Sequence, residues 1–263
     1  EKKDVVVMIT NSEYIKRVDL KTYKEQKRGG SGVIGAGLKD EDFVRRMITC
    51  STHDYLLFFT SRGRVYWLKA NDVPAAERQG KGRSIANLLQ LREEKIANVM
   101  AIHDFDSGYL MFATRKGIVK KLQCKDVSKP RSTGVRIMSL PADGSDEIIN
   151  VRRVEDKQEV LLVTRKGQAV RFSSDNVRAM GRASYGVKGV ELGKGDEVVA
   201  LIAVPLTENV TVLTITDKGY GKRSKLEDYR KTARGGKGVI TLKTNDKTGN
   251  VVTAVCVDNN DSI

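Results

Sequence analysis

One period runs through the whole chain. Thr10, Thr60, Thr114, Thr164 and Thr216 stand 50, 54, 50 and 52 residues apart. A second landmark keeps step: Gly32, Gly82, Gly186 and Gly238 each lie 22 residues after their threonine, and Gly134 lies 20 after Thr114. Two landmarks in register through five units mean one module repeated, and they are sought before any secondary structure is assigned. Within a unit the apolar pattern is that of short strands, not of helices. Tyr55–Thr60 is an apolar strand, Ser61-Arg62-Gly63 a tight turn, and Val65–Leu68 the return strand. A polar stretch, 71–83, follows with Pro74 and two glycines, and 84–91 and 96–102 are expected to supply two more strands. The expected fold is therefore all-β, a single repeat domain over 1–263 built of four-stranded blades of about 50 residues. The blades fall near 1–50, 51–103, 104–154, 155–206 and 207–258, with 259–263 opening a further repeat, so that a sixth unit is absent or truncated. A four-stranded unit cannot bury both faces by itself, so neighbours must stack, and a propeller-like ring is expected over a linear solenoid.

Charge follows the same period. The chain has 47 Lys and Arg against 33 Asp and Glu, a net charge of +14. The hairpin, loop and third-strand segments (10–39, 60–92, 114–140, 164–194 and 216–243) hold 38 basic and 11 acidic residues, or +27, leaving −13 for the rest. In any symmetric stacking, equivalent segments occupy equivalent places, which makes the +27 a belt suited to a bent polyanion. Three columns carry it. Two residues after the threonine stand Arg62, Lys116, Lys166 and Lys218; seven after it stand Arg17, Lys121, Arg171 and Arg223, with Trp67 the exception. Four before the loop glycine stand Arg28, Arg78, Arg182 and Arg234, and the shorter third loop has Arg131. Arg64, Lys81, Arg83, Lys120, Lys188, Lys222 and Lys237 flank these columns and join the candidate contact set. Guanidinium forks and glycine-rich backbone suit phosphate oxygens, whereas no recurring helix or ribbon is available to read base edges. Contact is expected to rest on the nucleic-acid backbone and its bendability.

Other classes find little support. Cys50, Cys124 and Cys256 are odd in number and widely spaced, which argues against a disulfide framework or a zinc site and for a reducing cytoplasm. The longest apolar run, 198–206, has nine residues and contains Pro205, about half of the roughly 20 residues a membrane helix needs. The chain begins at Glu1 with no signal-like segment and is expected to be a domain of something larger. No nucleophile elbow, phosphate-binding loop or metal-ligand motif occurs, so no catalytic residue and no metal are expected. His53 and His103 each precede an Asp at comparable strand ends and are expected to share a turn, Trp67 is expected in the core, and Glu93-Glu94 and Asp196-Glu197 are expected to be solvated.

The most distinctive stretch is Gln26-Lys27-Arg28-Gly29-Gly30-Ser31-Gly32. It resembles the box that marks the C-terminal domain of the A subunit of bacterial DNA gyrase, with Ser31 where that box usually has a basic residue. Ser51-Thr52-His53-Asp54-Tyr55, Ser61–Trp67, Val177–Gly181 and Gly219–Arg223 are also similar to that family, and the resemblance covers the whole chain. It implies a β-pinwheel whose basic rim wraps double-stranded DNA with right-handed sense, with Gln26, Lys27, Arg28, Gly29, Gly30 and Gly32 among the contacts. It further implies that the cleaving tyrosine, Mg2+ and the ATP site lie outside this chain, in the rest of the gyrase A protein and in its B partner within an A2B2 complex in the bacterial cytoplasm. The isolated domain is then a monomer without a cofactor of its own. The related domain of topoisomerase IV and a propeller used as a protein-interaction platform are the alternatives. If each of five blades engages about two phosphates, log K for DNA falls with log[salt] at a slope near −9, measured by titration across salt; a slope shallower than about −3 would exclude the belt as a track.

Overall fold

The computed structural model describes residues 2–22, 42–77, 80–207 and 209–259. Among these described residues nineteen strands follow in order: β1 (Asp4–Thr10), β2 (Tyr14–Asp19), β3 (Val44–Ser51), β4 (Tyr55–Thr60), β5 (Arg64–Lys69), β6 (Arg83–Ser84), β7 (Ile96–Ile102), β8 (Tyr109–Thr114), β9 (Ile118–Gln123) and β10 (Val135–Arg136). They continue with β11 (Ile148–Val154), β12 (Glu159–Thr164), β13 (Gln168–Ser173), β14 (Val187–Lys188), β15 (Val198–Ala203), β16 (Thr211–Thr216), β17 (Gly221–Lys225), β18 (Val239–Ile240) and β19 (Val251–Val257). The all-β reading holds. Short 3-10 turns follow the return strands, as at Ala70–Asp72, Cys124–Val127, Ser174–Asn176 and Leu226–Asp228.

Sheet composition corrects the expectation that each repeat makes its own four strands. The orders are β3-β1-β2-β6, β7-β4-β5-β10, β11-β8-β9-β14, β15-β12-β13-β18 and β17-β16-β19. The fourth strand of each complete sheet has only two residues and comes from the next repeat: β6 pairs Ser84 with Tyr14, β14 pairs Val187 with Val119, and β18 pairs Val239 with Ala169. Among the described residues the fifth sheet has three strands. The expected strand over 84–91 is also corrected. After β6 the chain enters a 3-10 turn at Ile85–Asn87, which returns Leu89 to the core.

Contacts group the chain into two compact units. The first, Glu1–Phe59, Val65–Asp104 and Lys129–Val135, holds the first sheet and most of the second. The second, Thr60–Arg64, Phe105–Ser128 and Arg136–Ile263, holds the third to fifth sheets. In the first unit Val5, Val7, Ile9 and Ile15 pack with Leu56, Phe58, Tyr66 and Ile85. In the second, β12 shows why the central strands are continuous apolar runs. Val160 and Leu162 join the core with Met111, Val119 and Phe172, while the alternating Leu161 and Val163 join a different core with Val212, Tyr229 and Ala254. A strand whose two faces fill two cores needs apolar residues at every position, each contributing about 1.5–3 kcal/mol on burial.

The threonine column is a hairpin device. Each threonine is buried, and its Oγ1 accepts the backbone N–H four residues on, at 3.2, 3.1, 3.1, 3.1 and 3.2 Å from Thr10 to Thr216. The N–H three residues on donates to the threonine carbonyl in all five hairpins. In the fourth hairpin that residue is Gly167, at φ 83°, and a Cβ there would overlap the Leu242 carbonyl oxygen. The equivalent Gly219 has φ 78° but nothing within 4 Å. The two glycines separate the two costs: Gly219→Ala should lose only the left-handed penalty of about 1–2 kcal/mol, whereas Gly167→Ala should lose about 1–3 kcal/mol more from overlap. Urea unfolding of both variants checks the difference; equal losses would show that the loop around Leu242 simply moves aside.

Candidate nucleic-acid interface

The hairpin tips are held from beneath by carboxylates. Asp42 Oδ1 accepts Ser12 N–H at 3.1 Å, Asp146 Oδ1 accepts Lys116 N–H at 3.0 Å, and Asp196 Oδ1 accepts Lys166 N–H at 2.9 Å. Asp146 is fully buried and also takes the Tyr185 hydroxyl at 2.7 Å, and burial together with that carboxylate pushes the Tyr185 phenol up. Asp196 is thus a structural acceptor, which corrects its reading as a solvated carboxylate. Of the tips themselves, Lys116, Lys166 and Lys218 are exposed. Lys166 Nζ donates to Lys194 O at 2.7 Å, Lys218 Nζ donates to Asp246 O, and the half-buried Arg62 donates to Asp146 O and Pro141 O at 3.0 and 2.9 Å.

The column seven after the threonine serves the fold. Arg17 Nε donates to Val73 O at 2.8 Å, Lys121 Nζ to Ser174 O at 3.0 Å, and Arg171 Nη1 to Leu226 O and Tyr229 O at 2.9 and 3.0 Å. Each acceptor lies in or just after the 3-10 turn of the following repeat, and Ser174 O and Leu226 O also accept the backbone N–H that closes that turn, so the cation takes up a second lone pair. The same three residues make isolated parallel bridges to that repeat, Arg17 with Ala75, Lys121 with Ala179 and Arg171 with Lys231. Lys121, 5% exposed, and Lys120, fully buried, are therefore corrected from DNA contacts to internal groups, and Arg17 and Arg171 are committed to inter-repeat carbonyls. Lys120 Nζ donates to Ile137 O, Arg182 O and Ser184 O at 2.6, 2.9 and 3.1 Å, and burial lowers its pKa to about 8. Trp67, 9% exposed, lies in the core.

The loop column divides. Arg234 is half-buried and bonded to Asn176 O and Lys188 O, both at 2.9 Å, whereas Arg131 and Arg182 are exposed. Gln26, Lys27, Arg28, Gly29, Gly30, Gly32 and Arg78 lie outside the described residues. Lys81, Arg83, Lys188, Lys222, Arg223 and Lys237 are exposed, and Arg64 is half-buried. The surviving surface set thus sits on hairpin tips, loops and the exchanged two-residue strands. Arg136 belongs with it: it is exposed on β10, two residues after its loop glycine, at the offset Lys188 occupies after Gly186. That shared offset was a readable signal. Lys16 was hidden for the opposite reason, since nothing in its local sequence tells a buried lysine from an exposed one. His103 Nδ1 lies 2.8 Å from Asp54 Oδ1, so the second histidine meets the carboxylate that follows the first.

Arg171 shows what an inter-repeat clasp contributes. Its Nε and Nη2 stand 2.6 and 2.5 Å from Glu159 Oε2, and Lys231 Nζ stands 3.0 Å from Oε1. Burial raises the Glu159 pKa, but hydrogen bonds from Lys231 and Arg171 outweigh it and hold the carboxyl below its ordinary 4.5. A depressed carboxylate stabilises the fold above its unfolded value and loses that contribution as pH falls through the folded one. Arg171→Met should lose about 1–3 kcal/mol near neutral pH, and the gap from the wild type should narrow below pH about 4 as Glu159 protonates in both. Urea unfolding at the two pH values tests this; a pH-independent gap would mean the carbonyl bonds carry the whole effect.

Comparison with known proteins agrees with this geometry. The family model of the DNA gyrase C-terminal domain, beta-propeller, matches residues 4–51, 54–102, 108–155, 158–205 and 211–258. The DNA gyrase A protein from Streptomyces coelicolor is 43% identical over 267 residues, 99% of this chain and 31% of that protein. Its counterpart from Haloquadratum walsbyi is 41% identical over 266 residues, again 99% of this chain and 31% of that protein. The chain thus spans about a third of the length of these relatives. Among solved structures, a DNA gyrase A C-terminal domain superposes with TM-score 0.81 at 29% identity, covering 97% of this chain and 83% of that one. The C-terminal domain of DNA topoisomerase IV superposes with TM-score 0.78 at 28% identity, covering 98% and 79%. Five matched repeats, an exchanged-strand sheet order and similarity to gyrase A proteins along the whole chain place it in the DNA gyrase C-terminal domain family.

Proposed function

We propose that the chain binds duplex DNA without base reading along its exposed cations, bends it, and wraps it with right-handed sense. The observation that supports this most is the partition of charge, +27 on the hairpin–loop–third-strand segments and −13 elsewhere, with a subset of those cations exposed to solvent once the buried and half-buried ones are set aside. That subset includes Lys81, Arg83, Lys116, Arg131, Arg136, Lys166, Arg182, Lys188, Lys218, Lys222, Arg223 and Lys237. Spread over tips, loops and exchanged strands, these groups meet phosphates rather than base edges, because no helix or long ribbon carries them into a groove. Bending 20–30 bp by 40–90° costs on the order of 1–6 kcal/mol, which many individually weak phosphate contacts can offset.

In this reading the domain is not an enzyme alone. It presents wrapped DNA to the remainder of the gyrase A protein and to gyrase B in an A2B2 complex of the bacterial cytoplasm, where ATP and Mg2+ drive strand passage and negative supercoiling. The test is topological. The chain is mixed with relaxed circular DNA and a nicking-closing enzyme, and the trapped linking number is read on gels with and without intercalator. Positive trapped supercoils that grow with protein are expected. Arg83→Glu with Lys188→Glu should reduce them and make the salt slope shallower by about 2. Tight binding with no linking change would overturn wrapping.

A further inference from the structure

Resting on that reading, we infer that Lys16 and Lys120 are positioning residues: buried ammonium groups in repeats one and three that hold the basic loops of repeats two and four by their backbone carbonyls. Lys16 is 3% exposed, and its Nζ donates to Gly80 O at 2.8 Å and Glu77 O at 3.4 Å. Lys120 is fully buried, and two of its three acceptors, Arg182 O and Ser184 O, lie in the fourth repeat's loop. Both lysines stand six residues after their repeat's threonine, on the return strand that receives the exchanged strand. Both ammonium groups donate to backbone carbonyls of the following loop.

The position alternates along the chain. Repeats two and four carry Tyr66 and Val170 there, both buried. Their seats are apolar: the Tyr66 ring lies against Gly134, and the Val170 side chain lies against Gly238. Repeats one and three therefore grip the next loop through charge-assisted hydrogen bonds, and repeats two and four through packing. The gripped loops are those that expose Lys81 and Arg182 next to the held carbonyls. When a buried cation occupies the inward carbonyls, it fixes the direction of the peptide units and turns the adjacent basic side chains to solvent. Burying an ammonium is costly, and burial lowers the pKa of both lysines, to about 8 for Lys120. An apolar residue of similar length would avoid that cost, so the hydrogen bonds to the loop are what the lysine adds. The fifth repeat bears Lys222 at this position, exposed among the described residues.

The experiment compares the wild-type chain with Lys16→Met/Lys120→Met. Val151→Ala, a core truncation on β11, serves as a control for general loss of stability. Amide hydrogen exchange without DNA is read at 80–84 and 182–188, and linking number is trapped at saturating protein on relaxed circles. The expected result is exchange faster by about tenfold in those loops, as loss of ordinary hydrogen bonds implies, with reduced trapped linking number and retained binding. Val151→Ala should leave both loop exchange and linking number near wild type. Unchanged loop exchange in the double variant overturns the positioning role, as does loosened loops with full wrapping. Loosened loops together with a wild type that traps no linking number would support the grip and overturn the wrapping reading instead.

Discussion

The exchange of a two-residue strand between consecutive repeats is the constraint on which the remaining structure depends. β6, β14 and β18 add few hydrogen bonds to β2, β9 and β13, yet each fixes the distance from one hairpin to the next. The loop glycines follow from it: at Gly238, φ 75°, a Cβ would overlap the Ala169 carbonyl of the strand it joins. The basic clasps at Arg17, Lys121 and Arg171 follow as well, because a neighbour brought this close offers turn carbonyls that a cationic side chain can reach. Cores that alternate residues of a single strand between two clusters complete the coupling. Such an array gains stability at each junction, in the manner of nearest-neighbour repeats.

The same constraint sorts the cations. A surplus of positive charge in the sequence does not distinguish a lysine that meets a phosphate from one that meets a carbonyl of the next repeat, since both tasks require a long cationic side chain at a fixed offset. Column seven was periodic because the junction is periodic. Column two mixes the tasks, with Lys116 exposed and Arg62 bonded to Pro141 and Asp146 carbonyls. Periodicity in a repeat chain therefore reports equivalence of environment, and burial is needed to say which environment it is.

Much of the architecture was legible. The threonine-to-threonine spacing located every hairpin, because a buried hydroxyl closing a tight turn leaves the same four-residue signature each time. Tyr55–Thr60 was readable as a strand with both faces buried. What could not be read was partnership. Arg83-Ser84 carries no mark that its partner is β2 of the preceding repeat, and a strand of two residues lies below any periodic signal. Asp146 and Asp196 looked like the rest of the acidic remainder, and only the fold shows that each receives a hairpin-tip amide.

Among the described residues β17 lies at the edge of the three-stranded fifth sheet, where the four other sheets carry a two-residue strand. Unpaired edges are templates for association with another chain, and Lys side chains on an edge are one of the guards against it. β17 reads Gly221-Lys222-Arg223-Ser224-Lys225, three cations on a five-residue strand, which is a guard of that kind. Screening shortens the reach of such charges to about 10 Å at 0.1 M salt and 3 Å at 1 M. Raising ionic strength therefore blunts the charge carried by this strand while leaving its backbone pairing with β16 in place.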